Sequence, residues 1–186
     1  YRCIGLLDDN ASLKGTVRNE VEVLGPMSLA GSLDCFVVNG IGSSRSFIHK
    51  EAIVQKTGCL PERFLTVVHP TASVSRTAML GAGTVVMQNA VVCSNARVGA
   101  HVVMLPCSVV SHDDIIGDYT CMATGVCISG GVHVGKCCYL GCNSAVIENV
   151  RVGDYSLVGM GSVVTRDVPE NSAVGGNPAS FLRRTK

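Results

Sequence analysis

Val85-Val86-Met87-Gln88-Asn89-Ala90, Val91-Val92-Cys93-Ser94-Asn95-Ala96, Arg97-Val98-Gly99-Ala100-His101-Val102 and Val103-Met104-Leu105-Pro106-Cys107-Ser108 follow one another as four lines of a single six-residue pattern. Stepping by six in both directions gives an aliphatic residue or Met from Val68 to Val164, seventeen positions without exception. Val, Ile, Leu and Met supply 56 of the 186 residues, so chance would give such a run about once in a billion trials. The residue two places earlier is small or β-branched, from Ala72, Ala78 and Thr84 to Ser162, and only Asp114 departs from that rule. A third row, Gly81, Gly99, Gly117, Gly135 and Gly153, recurs at every third hexad. Three hexads therefore make one coil. The glycines are expected to stack at one corner with φ > 0, which glycine adopts without a Cβ clash. The pattern predicts a triangular prism of about five coils, its parallel strands stacked roughly 4.8 Å apart. No hexad is interrupted, so no long loop is expected to leave the prism between residues 68 and 164. An open coil end exposes unpaired strand edges. Residues 165–186, where Asp167-Val168-Pro169 breaks the repeat, read as its cap.

Composition excludes several classes. Charged residues make up 16% of the chain, aromatics 4%, and Trp is absent. A formal net charge of +1 gives no electrostatic case for nucleic acid or an anionic membrane. The apolar content is too high for disorder. Residues 77–96 carry no charge over nearly a membrane-span length. Gly81, Gly83, Thr84, Gln88 and Asn89 interrupt that stretch, so no membrane helix is expected. Tyr1-Arg2-Cys3-Ile4-Gly5-Leu6-Leu7-Asp8-Asp9 is not a signal peptide, and the missing initiator Met suggests an upstream segment. The ten cysteines show no C-x-x-C and no zinc spacing, so they read as reduced, small apolar fillers in a soluble, cytoplasmic chain without a metal.

Residues 1–66 hold 14 of the 29 charges and have no hexad pattern. Apolar runs at 3–7, 21–24, 35–38 and 65–68 read as strands. Residues 44–57 have helical spacing at Phe47, Ile48 and Val54, with Gly58 as a stop. Strand and helix alternate, which suggests a small α/β unit over residues 1–66, with the prism domain over 67–186.

Among the five histidines, His49, His69, His101 and His133 lack an acidic neighbour in a suitable place and read as structural. His112 follows a corner, next to Asp113, in the one hexad where the small-residue rule fails. Gly130 and Gly131 lie one coil on, and their missing side chains are expected to leave a slot above His112 and Asp113.

The hexads resemble those of the left-handed β-helix acyltransferases over about two thirds of the chain. The left hand is implied by that resemblance alone, since general crossover rules favour the right. A narrower resemblance rests on Leu6-Leu7-Asp8-Asp9, Val38-Asn39-Gly40-Ile41-Gly42, Val67-Val68-His69-Pro70-Thr71-Ala72, Ser111-His112-Asp113, Ile116-Gly117-Asp118 and Gly176-Asn177-Pro178-Ala179. In this order they are similar to the bacterial nucleotide-sugar N-acetyltransferases and sialic acid O-acetyltransferases. The resemblance implies a Rossmann-like N-terminal unit, here lacking the family's first strand and Gly-rich loop. It implies acetyl-CoA as co-substrate, a sugar or nucleotide-linked amino sugar as acceptor, and a homotrimer. It gives His112 as general base with Asp113 behind it, and Asp8, Asp9 and Gly42 as acceptor contacts. Donor contacts fall at Cys121, Gly130, Cys142 and Met160. Cys121 stands where relatives can carry a second histidine. Two other readings stay open: a non-catalytic β-helix scaffold, and an O-acetyltransferase for a plain sugar or serine.

Overall fold

The computed structural model describes residues 1–186. From Val67 to Val164 the chain forms seventeen two-residue strands, one for each hexad. The residues of the aliphatic row are the second, inward residues of these strands, as in Val103–Met104 and Cys121–Met122. Strands three hexads apart pair in parallel and in register, as Val103 with Cys121 and Val109 with Cys127. Three sheets result. The first face starts at Val67, the second at Ser73 and the third at Met79. Inside, Val86, Met104, Met122 and Leu140 are fully buried, as are small residues such as Ala90, Ala96 and Ser108. The small row matters because three corners converge on a narrow interior that only short side chains fill. Thr84 and Thr120 line this interior too. Each hydroxyl accepts the amide one coil on, from Val102 at 3.2 Å and Cys138 at 3.0 Å.

The left-handed residue of each turn is not in the expected glycine row. It lies two places later, at Asn89 (φ 58°), Asn95 (60°), Asp113 (62°), Asn143 (55°) and Asn149 (60°), with Gly83, Gly125, Gly131 and Gly161 in the same row and His101, Cys107, Tyr119, Cys137 and Tyr155 completing it. Asn, Asp and Gly are the residues that tolerate this region best. Gly81, Gly99, Gly117, Gly135 and Gly153 are needed for a different reason, the closeness of the next coil. A Cβ on Gly81 would lie 2.5 Å from the amide nitrogen of Ala100, and one on Gly99 would collide with Asp118. The space kept free there lets Asp118 accept the Ala100 amide at 2.7 Å.

The prism closes with Ser172–Gly175, which continues the first face beside Leu157–Val158 and pairs antiparallel with Ser180–Arg184. At the other end Val68 is half exposed, while the same row is buried from Val86 onward. Residues 1–66 form a three-stranded mixed sheet, with Val21–Gly25 between Leu6–Leu7 and Val17–Arg18. The helical spacing at 44–57 produces a 3-10 turn, Phe47–His49, followed by the α-helix Lys50–Gln55. Gly58, at φ 64°, follows. This segment covers the first face: Phe47 packs on Tyr139 with ring centres 6.2 Å apart, and Lys50 is entirely buried. All ten cysteines are free. No helix is long and apolar enough to cross a membrane.

Candidate active site

The turn from Ser111 to Asp114 leaves the second face at Val109–Val110 and enters the third at Ile115–Ile116. His112 Nδ1 lies 2.9 Å from Asp113 Oδ2. Asn95, one coil earlier, donates from Nδ2 to Asp113 Oδ1 at 3.1 Å. These two hydrogen bonds, the histidine's first, hold the Asp113 carboxyl below its ordinary range. An ionised Asp113 is best satisfied by a proton on Nδ1, which assigns the tautomer and leaves Nε2 as the basic atom.

The ring turns toward the next coil. A Cβ on Gly130 would lie 2.5 Å from His112 Cε1 and 2.6 Å from Nε2. The space left by the first of the two glycines is therefore taken by the imidazole itself. The second, Gly131, takes the left-handed position at φ 73° and faces Asn149. The amide of Gly131 donates to the His112 carbonyl at 3.0 Å, whereas that of Gly130 has no acceptor within the chain. A cavity of about 510 Å³ opens here, lined by His112, Asp113, Ser129, Gly130, Gly131, Glu148 and Asn149, none of them hydrophobic.

Other sequence-derived positions lie elsewhere. Cys142 and Met160 are stacked at the opposite edge of the second face, in the turns after Tyr139–Leu140 and Leu157–Val158. Gly161 donates to the Cys142 carbonyl at 2.8 Å, and Met160 is 75% exposed. Cys121 is fully buried on the first face, and burial pushes its thiol up to about 11. So placed, it is shut off from any donor molecule by its own chain and is not poised as a nucleophile. Gly42 faces it: a Cβ there would lie 2.9 Å from the sulfur. What Gly42 allows to approach is Cys121, not open space. Asp8 accepts the Asn10 amide at 2.8 Å, a local turn. Asp9 accepts the Met27 amide at 3.0 Å and Lys56 Nζ at 3.1 Å, and the Met27 amide, ahead of Lys56, lowers its pKa. His101 is buried, stacked on Tyr119 at 5.2 Å, in a packing role.

No protein-family model matches the sequence, and no curated protein does. Solved structures do. The acetyltransferase domain of PglB from Neisseria gonorrhoeae is 28% identical with a TM-score of 0.84, over 96% of this chain and 86% of that one; it has also been solved with acetyl coenzyme A. PerB from Caulobacter crescentus, in complex with CoA and GDP-perosamine, is 26% identical with a TM-score of 0.83, over 96% and 84%. WeeI from Acinetobacter baumannii is 27% identical with a TM-score of 0.82, over 96% and 85%. The chain is thus similar in fold and in sequence to hexapeptide-repeat β-helix sugar N-acetyltransferases. The pocket includes Glu148 and Asn149, which the sequence alone did not bring forward, and Asn95 supports it from one coil earlier through Asp113. The period held the signal. Asn95 lies one coil before Asp113 and Asn149 two coils after it, and Glu148 lies two coils after His112, so each shares a column with a residue already chosen.

Proposed function

We propose that this chain moves the acetyl group of acetyl-CoA to the amine of a nucleotide-linked amino sugar, with His112 as general base. The observation that carries the reading is the imidazole hydrogen-bonded to the Asp113 carboxylate and seated in the space that the missing Gly130 side chain leaves, beside a turn whose Gly130 amide has no acceptor in the chain. The acceptor amine attacks the thioester carbonyl, and Nε2 of His112 takes the amine proton as the C–N bond forms. Asp113 stabilises the imidazolium. The Gly130 N–H is suited to the developing oxyanion. When the intermediate collapses the C–S bond breaks, and the proton held by His112 neutralises the departing thiolate. Transfer is direct, without an acyl-enzyme on Cys121. Glu148, in the same pocket, is placed to hold the acceptor's ammonium before it loses its proton.

The same reading makes the prism left-handed and the assembly a homotrimer. Residues 1–66 form the acceptor-binding unit, residues 67–186 the catalytic domain with its cap at 165–186, and the reaction sits in the cytoplasm with the acetyl-CoA pool. Support for the trimer comes from the faces. The first is covered by the chain's own N-terminal unit, and the third carries Arg97, His133 and Arg151 outward. The second presents Val91, Val109, Cys127, Ala145 and Val163 with no charge among them. A bare, uncharged face suits a subunit interface. His112 lies at one edge of that face and Cys142 and Met160 at the other, so a closed ring is the arrangement that brings base and donor contacts together.

A second reading, a plain sugar as acceptor, is favoured by Asp9, whose two carboxylate oxygens are both engaged within the chain. The two readings separate in an acetyl-transfer assay over UDP- and GDP-linked amino sugars and their free counterparts. His112→Ala is expected to lower kcat by about a hundredfold or more with the oligomer intact. Activity within tenfold of wild type would remove His112 from the chemistry.

A further inference from the structure

Every turn of the prism from His69 to Gly159 opens with an amide that donates to the strand carbonyl of the next coil, with one exception. Cys93 donates to the Val110 carbonyl, Gly117 to that of Val134 and Ser129 to that of Val146. Ser111, the first residue of the His112 turn, leaves this ladder and donates instead to Asp114 Oδ2 at 2.7 Å. The other oxygen of the same carboxylate accepts the amide of Val132 at 2.8 Å. Val132 closes the turn that contains Gly130. Elsewhere in the small row a hydroxyl performs only the second of these tasks, as Thr84 does for Val102 and Thr120 for Cys138. Asp114 is fully buried, and it is the one carboxylate in a row otherwise made of small or β-branched residues.

We propose that Asp114 is a positioning residue, which clamps the first amide of the His112 turn and the last amide of the Gly130 turn to one carboxylate and thereby fixes the imidazole in the space that Gly130 leaves open. The clamp joins the two halves of the site across a coil boundary. Without it the His112 turn is tied to its neighbours only as any other corner is. The residue does not contribute to stability as a hydroxyl would. Burial, ahead of both amide bonds, raises its pKa to about 6, so the ionised form is held in the core at a loss. A chain that keeps such a group beside its reactive histidine gives up stability for geometry. The inference rests on the reading of His112 as the base.

The test is Asp114→Thr in the full chain, since Thr84 and Thr120 show that this row accepts a threonine that bonds only to the next coil. The variant is expected to melt at or above the wild-type temperature, with kcat lowered about tenfold and both KM values unchanged. The Asp114→Asn variant, which keeps one acceptor oxygen, should fall between them. Wild-type kcat in Asp114→Thr would overturn the proposal, as would a loss confined to KM. A second readout does not depend on the acceptor: the imidazole ¹³C–¹H resonances of His112 in the unliganded protein. They should shift and broaden in Asp114→Thr. Unchanged resonances overturn the clamp even if no acetyl transfer is found, whereas a shift without transfer keeps the clamp and removes the proposed function.

Discussion

Replacing Lys50 by Met is expected to make this protein more stable. Lys50 opens the helix Lys50–Gln55, is fully buried between that helix and the first face, and its Nζ has no hydrogen-bond partner. Burial lowers its pKa from 10.5 to about 8, with the thiols of Cys121 and Cys137 opposing the shift. At pH 7 the amine is therefore still mostly charged, in a place without a counter-ion. Each pH unit between the two values is worth about 1.4 kcal/mol, so the penalty is about 3.5 kcal/mol at most. Met keeps the length of the side chain and removes the charge. Allowing for partial solvation, a gain of about 1–3 kcal/mol is expected; at about 2–4 °C per kcal/mol for a chain of this size, Tm should rise by several degrees. The sign with pH is definite. The unfolded chain binds more protons than the folded one between pH 8 and 10.5, so wild-type stability from this group rises across that window. The advantage of Lys50→Met should be full below pH 8 and vanish by pH 10.5. Buried Cys121 and Cys138, with thiols at about 11 and about 12, pull the other way above pH 9, but they are present in both proteins and largely cancel in the difference. Urea denaturation at pH 7, 8, 9 and 10 measures it. A Lys50→Met protein less stable than wild type at pH 7 would refute the reasoning and imply a partner for the ammonium.

Gly130→Ala should lower kcat by about tenfold or more with little change in Tm, because its methyl falls on the His112 ring and the site is open to solvent; wild-type turnover would show that the ring does not need this position. Glu148→Gln should raise KM for an amine acceptor and leave that of a hydroxyl acceptor unchanged, measured over a matched pair of sugars; equal effects on both would separate Glu148 from the ammonium. Val109→Glu puts a charge at the centre of the uncharged second face, and sedimentation should then find monomers without acetyl-transfer activity; an active Val109→Glu trimer would exclude that face as the interface.

Most of the architecture was legible because it is periodic. The aliphatic row from Val68 to Val164 assigns every strand of the prism, and its phase places Val110 inward and Val109 outward. The glycine row misled in detail, since a recurring glycine marks either a special φ or a close neighbour, and sequence alone does not say which. The better sign of the left-handed residue was the Asn89, Asn95, Asp113, Asn143 and Asn149 row, two places on. Residues 1–66 were less legible, because their contacts are not periodic. Nothing in Gly40-Ile41-Gly42 announces that Gly42 will rest on Cys121, nor does the Lys50 helix declare which of its faces will be buried. Asp8 is engaged in a local turn by the Asn10 amide, whereas Asp9 finds the Met27 amide, a partner that only the folded N-terminal unit brings near.

The site itself becomes intelligible along the column rather than along the chain. At the corner between the second and third faces, successive coils present Cys93-Ser94-Asn95-Ala96, Ser111-His112-Asp113-Asp114, Ser129-Gly130-Gly131-Val132 and Ile147-Glu148-Asn149-Val150. Asn95 and Asp113 share the left-handed third position of their turns with Gly131 and Asn149. A repeated backbone of this kind lets each coil supply one part without disturbing the others: Asn95 steadies Asp113, Asp113 holds the His112 imidazole, which the proposed function uses as the base, and Gly130 leaves the ring its space and an amide without an acceptor in the chain. Glu148 adds a charge at the far side. On the proposed function this column takes the acceptor's reacting group, and the donor lies elsewhere. Cys142 and Met160, which the family resemblance assigns to the donor, are stacked at another corner with a whole face between. Flat faces do not bend to bring two corners of one prism together. On the proposed function, catalysis therefore requires that one chain's His112 corner meet the neighbouring chain's donor corner, and assembly is part of the active site rather than an addition to it.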